Sequence, residues 1–184
     1  REVLIKWPPL HPAPKNTAAR VVPWFSPIKR FAGNRAVSPR NRRDNMRKRE
    51  MTVQNWFQLW LTGKGPELSR IFSENAVYIE SWGPEYHGVK AIEHWFAEWN
   101  TRGRVLAWDI KQFIHQGDQT VVEWYFQCEM NGQGVQAFDG LSLIRWSEDG
   151  RITFLKEFGC NLDRYDPYAW GAGPRFKEEA ARWF

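Results

Sequence analysis

Four long segments in the second half of the chain, "VLAWDIKQFI" (105–114), "TVVEWYFQCEM" (120–130), "VQAFDGLSLIRW" (135–146) and "ITFLKEFG" (152–159), constrain the fold most. Each is rich in β-branched and aromatic residues, which suit a pleated, half-buried surface. Short glycine-bearing turns, "QGDQ", "NGQG" and "SEDG", separate them. Runs joined this way pair as successive antiparallel hairpins, so this part of the chain is a four-strand meander.

The residues before the meander read differently. Thr52 is placed to cap a first helix carrying Trp56, Leu59 and Trp60 at helical spacing, with Gly63 and Gly65 to stop it. A short second helix has Pro66 in its first turn and uses Leu68, Ile71 and Phe72. "AVYIES" (76–81) alternates as a strand, and Ile92, Trp95, Phe96 and Trp99 form the apolar stripe of a third helix ending near Gly103. Helices, one strand, a helix and then a meander predict an α+β fold: one strongly curved antiparallel sheet wrapped around about three helices. Such a cone leaves a cavity at its open end, and 12 Trp, 12 Phe and 5 Tyr would line it with rings.

Charge divides the chain. Residues 1–50 hold 13 Lys+Arg against 3 Asp+Glu, net +10; the remaining 13 and 18 give residues 51–184 a net −5. Residues 1–50 also hold seven of the 11 prolines and no sustained period, so they read as a disordered basic extension. For "SPRNRRDNMRKRE" (38–50) three readings stand: sequence upstream of a start at Met51, an arm binding nucleic acid through its arginines, or a transit peptide. The domain proper then runs over 51–168, and 169–184 form a C-terminal tail with room for a short helix. No apolar run is long enough for a membrane span. Cys128 and Cys160 lack the clustering of a disulfide framework or a metal site, which suits a reducing, cytoplasmic setting.

The order of elements, with "IFSENAVYIESWGPEYHGVKAIEHWF" (71–96) and "FDGLSLIRWSEDGRITFLKEF" (138–158), resembles the nuclear transport factor 2-like superfamily, in its SnoaL-like and ketosteroid-isomerase-like branch, across about 51–168. The resemblance implies a cone-shaped fold of the cystatin-like α+β barrel type. It also implies a deep pocket for a small apolar or aromatic ligand, no cofactor, and pairing as a homodimer through the convex sheet face, here bearing Glu123, Tyr125, Gln127, Asp139 and Leu141. The superfamily holds isomerases, cyclases, dehydratases and epoxide hydrolases beside non-catalytic binding proteins, so fold alone does not assign function.

Residue by residue, the resemblance places Glu80 where those isomerases carry their general base, at the end of the first strand. Burial beside Trp82 would raise its pKa toward a range useful for proton transfer. Their oxyanion partners, a tyrosine and a protonated aspartate, are matched by Trp56 and Ser142, weaker acids that speak against steroid isomerisation. With Ser142 inward, period 2 turns Phe138, Gly140 and Ile144 inward too. The resemblance implies that Leu155, Glu157 and Gly159 on the last strand, and Val122, Trp124, Phe126 and Cys128 on the second meander strand, also turn inward. Glu157 thus joins Glu80 as a second carboxyl able to titrate with it, unless Arg145 or Arg151 pairs with it. Asp139 falls on the outer face unless Gly140 marks a bulge. Tyr86 and His87, in the following loop, are candidates for a proton relay at the mouth. The expected site is therefore Glu80, Glu157 and His87 as catalytic groups, with Trp56, Trp82, Tyr86, Trp124, Phe126, Phe138 and Ser142 binding substrate. No metal ligand set appears.

Overall fold

The structure, a computed structural model, describes residues 38–65 and 68–176. Helix α1 (Pro39–Thr62) is followed by a single 3-10 turn (Leu68–Arg70), strands β1 (Phe72–Ile79) and β2 (Glu85–His87), and helix α2 (Val89–Arg102). Strands β3 (Gly103–Gln116), β4 (Gln119–Met130), β5 (Gly134–Trp146) and β6 (Ile152–Asn161) complete the order. They form one six-stranded sheet, β2-β1-β6-β5-β4-β3. All neighbours are antiparallel except β1 and β6, which run parallel, so the sheet is mixed rather than antiparallel throughout.

The first helix starts well before Thr52. Ser38 caps it, its Oγ accepting from the Asn41 amide at 3.2 Å, with Pro39 in the first helical position where a missing N–H costs nothing. Thr52 lies inside the helix and donates to the Lys48 carbonyl at 3.0 Å. Gly63, at φ 63°, ends the helix in the left-handed conformation that glycine adopts without strain. Residues 39–50, read as disordered, are helical, and the boundary at residue 50 falls within α1. Two contacts tie this polar half-helix to the β3–β4 hairpin. Arg49 Nη1 donates to the Gly117 carbonyl at 2.8 Å, and Glu50 Oε1 meets His115 Nε2 at 3.0 Å. His115 Nδ1 in turn contacts Thr120 Oγ1 at 2.9 Å, and Trp146 Nε1 donates to the same buried hydroxyl at 2.8 Å. The rest of the basic extension, 1–37, lies outside the described residues, while 38–50, the segment with a nucleic-acid arm among its readings, is the cap and first half of α1.

The expected second helix is only the 3-10 turn, and Phe72 opens β1 instead; Pro66 lies outside the described residues. Strand β2 replaces the loop expected after the Gly-Pro turn. Residues 169–176 form turns and bends rather than a helix, while 177–184 lie outside the described residues. The core is aromatic. Trp56 and Trp60 of α1 and Trp95 and Phe96 of α2 pack onto Phe72, Tyr78, Trp108 and Trp124 of the sheet. No helix among the described residues is long and apolar enough to cross a membrane.

Candidate active site

Register assembles the site. Tyr78 of β1 lies opposite Tyr86 of β2 and beside Leu155 of β6. Side chains two residues apart share a face, so Glu80, two beyond Tyr78, and Glu157, two beyond Leu155, belong to the same inner surface. On β5, Ser142 lies opposite both Glu157 and Val122, and Gly140 opposite both Trp124 and Gly159. The β4–β5 register runs unbroken through Gly140, so no bulge reverses the parity. Asp139 faces outward, against Lys111 at 2.6 Å and Arg164 at 3.3 Å.

Each carboxyl has a tyrosine. The Tyr86 hydroxyl donates to Glu80 Oε1 at 2.6 Å, and the Trp82 indole donates to Oε2 at 2.9 Å. The Tyr78 hydroxyl donates to Glu157 Oε1. Neither cation considered for Glu157 reaches it: Arg145 lies over the Phe154 ring at 4.9 Å and Arg151 pairs with Asp149 at 2.6 Å. Burial therefore pushes the Glu157 carboxyl up to about 8, against the Tyr78 hydrogen bond and with a smaller push from the Glu80 charge. Glu80 is also raised by burial, partly countered by its two hydrogen bonds and by Arg102. Tyr78 is fully buried, and desolvation followed by the Glu157 charge holds its hydroxyl protonated far above the ordinary range.

Trp95 completes the surround. Its ring stacks on Tyr86, with centroids 4.7 Å apart and planes 19° apart, and tilts onto Tyr78 at 4.8 Å. Trp124 is fixed by its indole donating to the buried Ser142 Oγ at 2.9 Å. Its ring lies so close over Gly140 that an added Cβ would come within 2.2 Å of it. A glycine is required there by contact, not by backbone conformation.

The structure brings together most, not all, of the expected residues. Glu80, Trp82 and Tyr86 form one hydrogen-bonded group, while Glu157 adjoins Ser142 on the sheet. Phe126 and Phe138 meet at 5.2 Å, partly buried, on the same side as Trp124. Trp82 is 54% exposed and covers Glu80 only from outside. Trp56 is core: it packs on Phe72 and Trp60, and its indole N–H, though near the Tyr78 hydroxyl, makes no hydrogen bond of ordinary geometry. His87 does not join Glu80. It follows Tyr86 on β2 and so points to the opposite face, where it is exposed and pairs with Glu85 at 3.0 Å. The open cavity expected in the cone is occupied by Trp56, Tyr78 and Trp124. Two surface clefts lie elsewhere: about 430 Å³ between the end of α1 and α2, and about 320 Å³ around Tyr165, Trp170 and Phe176. Tyr78 is the residue the sequence reading missed; its position two before Glu80, on the same strand face, is the signal that carries it.

A curved mixed sheet of six strands holding two helices is the nuclear transport factor 2-like fold. Residues 53–155 match the SnoaL-like domain, and the chain belongs to that family. Among solved structures, a Catenulispora acidiphila protein of ketosteroid isomerase-like fold, in complex with trimethylamine, is 20% identical. The match covers 60% of this chain and 85% of that one with a TM-score of 0.51. An epoxide hydrolase of Mycobacterium tuberculosis, described as LEH-like, is 13% identical over 62% of this chain and 84% of its own, TM-score 0.55. A Bacillus subtilis protein named as a proposed isomerase is 16% identical over 63% and 88%, TM-score 0.56. At these identities the likeness is one of fold. Among curated proteins nothing matches the chain.

Proposed function

We propose that the chain is a cofactor-independent acid/base protein acting on an apolar, ring-containing small molecule, by isomerase, cyclase, dehydratase or hydrolase chemistry. The observation behind this reading is the pair of carboxyls in one aromatic interior, each with a tyrosine hydroxyl and, among the described residues, without an ion-pair partner of its own. Glu157, raised to about 8, keeps its proton near neutral pH and can donate it to a substrate oxygen. Glu80 then takes the proton from carbon or water, its acidity matched to the task by burial. Trp82 and Tyr86 orient Glu80; the partly buried Phe126 and Phe138, backed by Trp124, are the apolar wall against which a ring would lie. The test is deuterium incorporation into a panel of cyclic ketones in D2O, followed by mass spectrometry. Exchange above the buffer rate that disappears in Glu80→Gln supports the reading. Equal exchange in the wild type and Glu80→Gln, or none with any ketone, removes it for carbon acids.

A second reading, a binding module that assembles without turnover, is favoured by the outer sheet face. Leu141 and Phe158 lie opposite each other there and are 42% and 47% exposed. Homodimerisation through this face is the proposed assembly, in a cytoplasmic setting. Sedimentation that finds only monomer at micromolar concentration counts against it.

A further inference from the structure

Trp95 touches neither carboxyl through a polar atom, yet among the described residues it is the one ring in contact with both tyrosines that serve them. The geometry has three parts. The antiparallel register sets Tyr78 directly opposite Tyr86, so the two phenols project side by side from one sheet face. Trp95 descends from α2 across both, stacked on one and tilted on the other. It is 8% exposed, lying between those phenols and Trp60. A phenol free to swing about χ1 and χ2 loses its hydrogen bond to a carboxylate; a phenol clamped beneath an indole does not. The helix is positioned for this by Gly88, whose amide donates to the Ala76 carbonyl at 2.7 Å, tying the start of α2 to β1.

We infer that Trp95 is the positioning residue of the carboxyl pair, holding the Tyr78 and Tyr86 hydroxyls on Glu157 and Glu80. This rests on the acid/base reading, and it gives a core indole a task that packing alone does not require. Aliphatic volume would fill the space, but only a flat ring clamps both phenols. Among the described residues the charged groups near the two carboxyls are each other and Arg102, with Glu98 beside Tyr86, so the loss of a hydrogen bond is separable from a change in charge.

The experiment is a carboxyl-carbon NMR titration of glutamate-labelled wild type, Trp95→Phe and Trp95→Leu over about pH 4 to 10. In Trp95→Phe both midpoints are expected to stay at their wild-type values; in Trp95→Leu, where the phenols are released and each carboxylate loses its donor, both should rise by about half a unit or more. The companion measurement uses the intact protein labelled with 5-fluorotryptophan, the Trp95 resonance being assigned by its loss in Trp95→Phe. It should shift with the midpoint of Glu157. If Glu157 and Glu80 are raised in the wild type and their midpoints are unchanged or lower in folded Trp95→Leu, or if the Trp95 resonance is flat across the titration, the inference is overturned while the acid/base reading stands. If both acids titrate at ordinary values in the wild type, both fall. If they are raised and Trp95-dependent but no ketone exchanges, the proposed reaction alone fails.

Discussion

Replacing Glu157 by Gln tests the electrostatics of the site through stability, without knowledge of a substrate. In the folded protein the carboxyl titrates at about 8, against an ordinary value of 4.5. Between those two pH values the folded chain holds a proton that the unfolded chain has released, so stability falls as pH rises through the window. Each unit is worth at most about 1.4 kcal/mol, and the full span of roughly three and a half units about 5 kcal/mol. Below the lower value both states are protonated and nothing is lost. Glutamine has the same shape and can accept the Tyr78 hydrogen bond, but it cannot ionise. The expected result is therefore a variant close to wild type near pH 4.5 and more stable by about 3–5 kcal/mol above pH 8. Urea unfolding at a series of pH values, with the m-value unchanged, measures this directly. A difference between the two proteins that is constant across pH, or that favours the wild type at high pH, would refute the burial of Glu157.

Four further outcomes follow from particular contacts. Gly140→Ala must displace the Trp124 ring and break its bond to Ser142, costing about 2–4 kcal/mol, and the cost should shrink by about 1 kcal/mol in a Ser142→Ala background, as a double-mutant cycle would measure. Tyr86→Phe removes a donor to the ionised form of Glu80, so the Glu80 midpoint should rise in a carboxyl NMR titration. Arg49→Ala with Glu50→Ala releases the polar half of α1 from the β3–β4 hairpin, expected to cost about 1–2 kcal/mol and to speed amide exchange at His115 and Thr120 without altering the Glu157 titration. Trp82→Ala, at an exposed ring, should change stability by less than about 1 kcal/mol in thermal melts while raising the Glu80 midpoint.

The sheet was readable because the meander repeats one signal: period-2 runs such as Val122, Trp124, Phe126 and glycine turns between them. Helix α2 was readable for the equivalent reason at period 3.6. The beginning of α1 was not, because residues 40–50 carry no apolar stripe; only the Ser38–Pro39 pair marked the start, and it stood among other prolines. Strand β2 is three residues long, too short for any period to register, and exists by pairing with β1. Of the site, Glu80 and Glu157 came from resemblance and parity, and both parities agree with the observed register. The tyrosine partners could not be read in full. Tyr86 was placed in a loop, and the Tyr78–Glu157 bond depends on a parallel pairing between strands far apart in sequence. His87 was misjudged because a loop allows either face and a strand allows one.

The parallel pairing of β1 with β6 has a kinetic meaning. Tyr78 and Glu157 are 79 residues apart, and of the strands from one to the other, β3, β4, β5 and β6 are joined each to the next by short hairpin turns. Hairpins close early because little loop entropy opposes them, whereas the first strand can dock only after the last has been made, and such non-local contacts raise contact order and slow folding. A chain with its meander paired but β1 still undocked has a hydrated Glu157 of ordinary acidity, with neither Tyr78 nor Glu80 beside it. The proton affinity of that one side chain is therefore an internal gauge of completion: it rises only when the two ends of the domain have met.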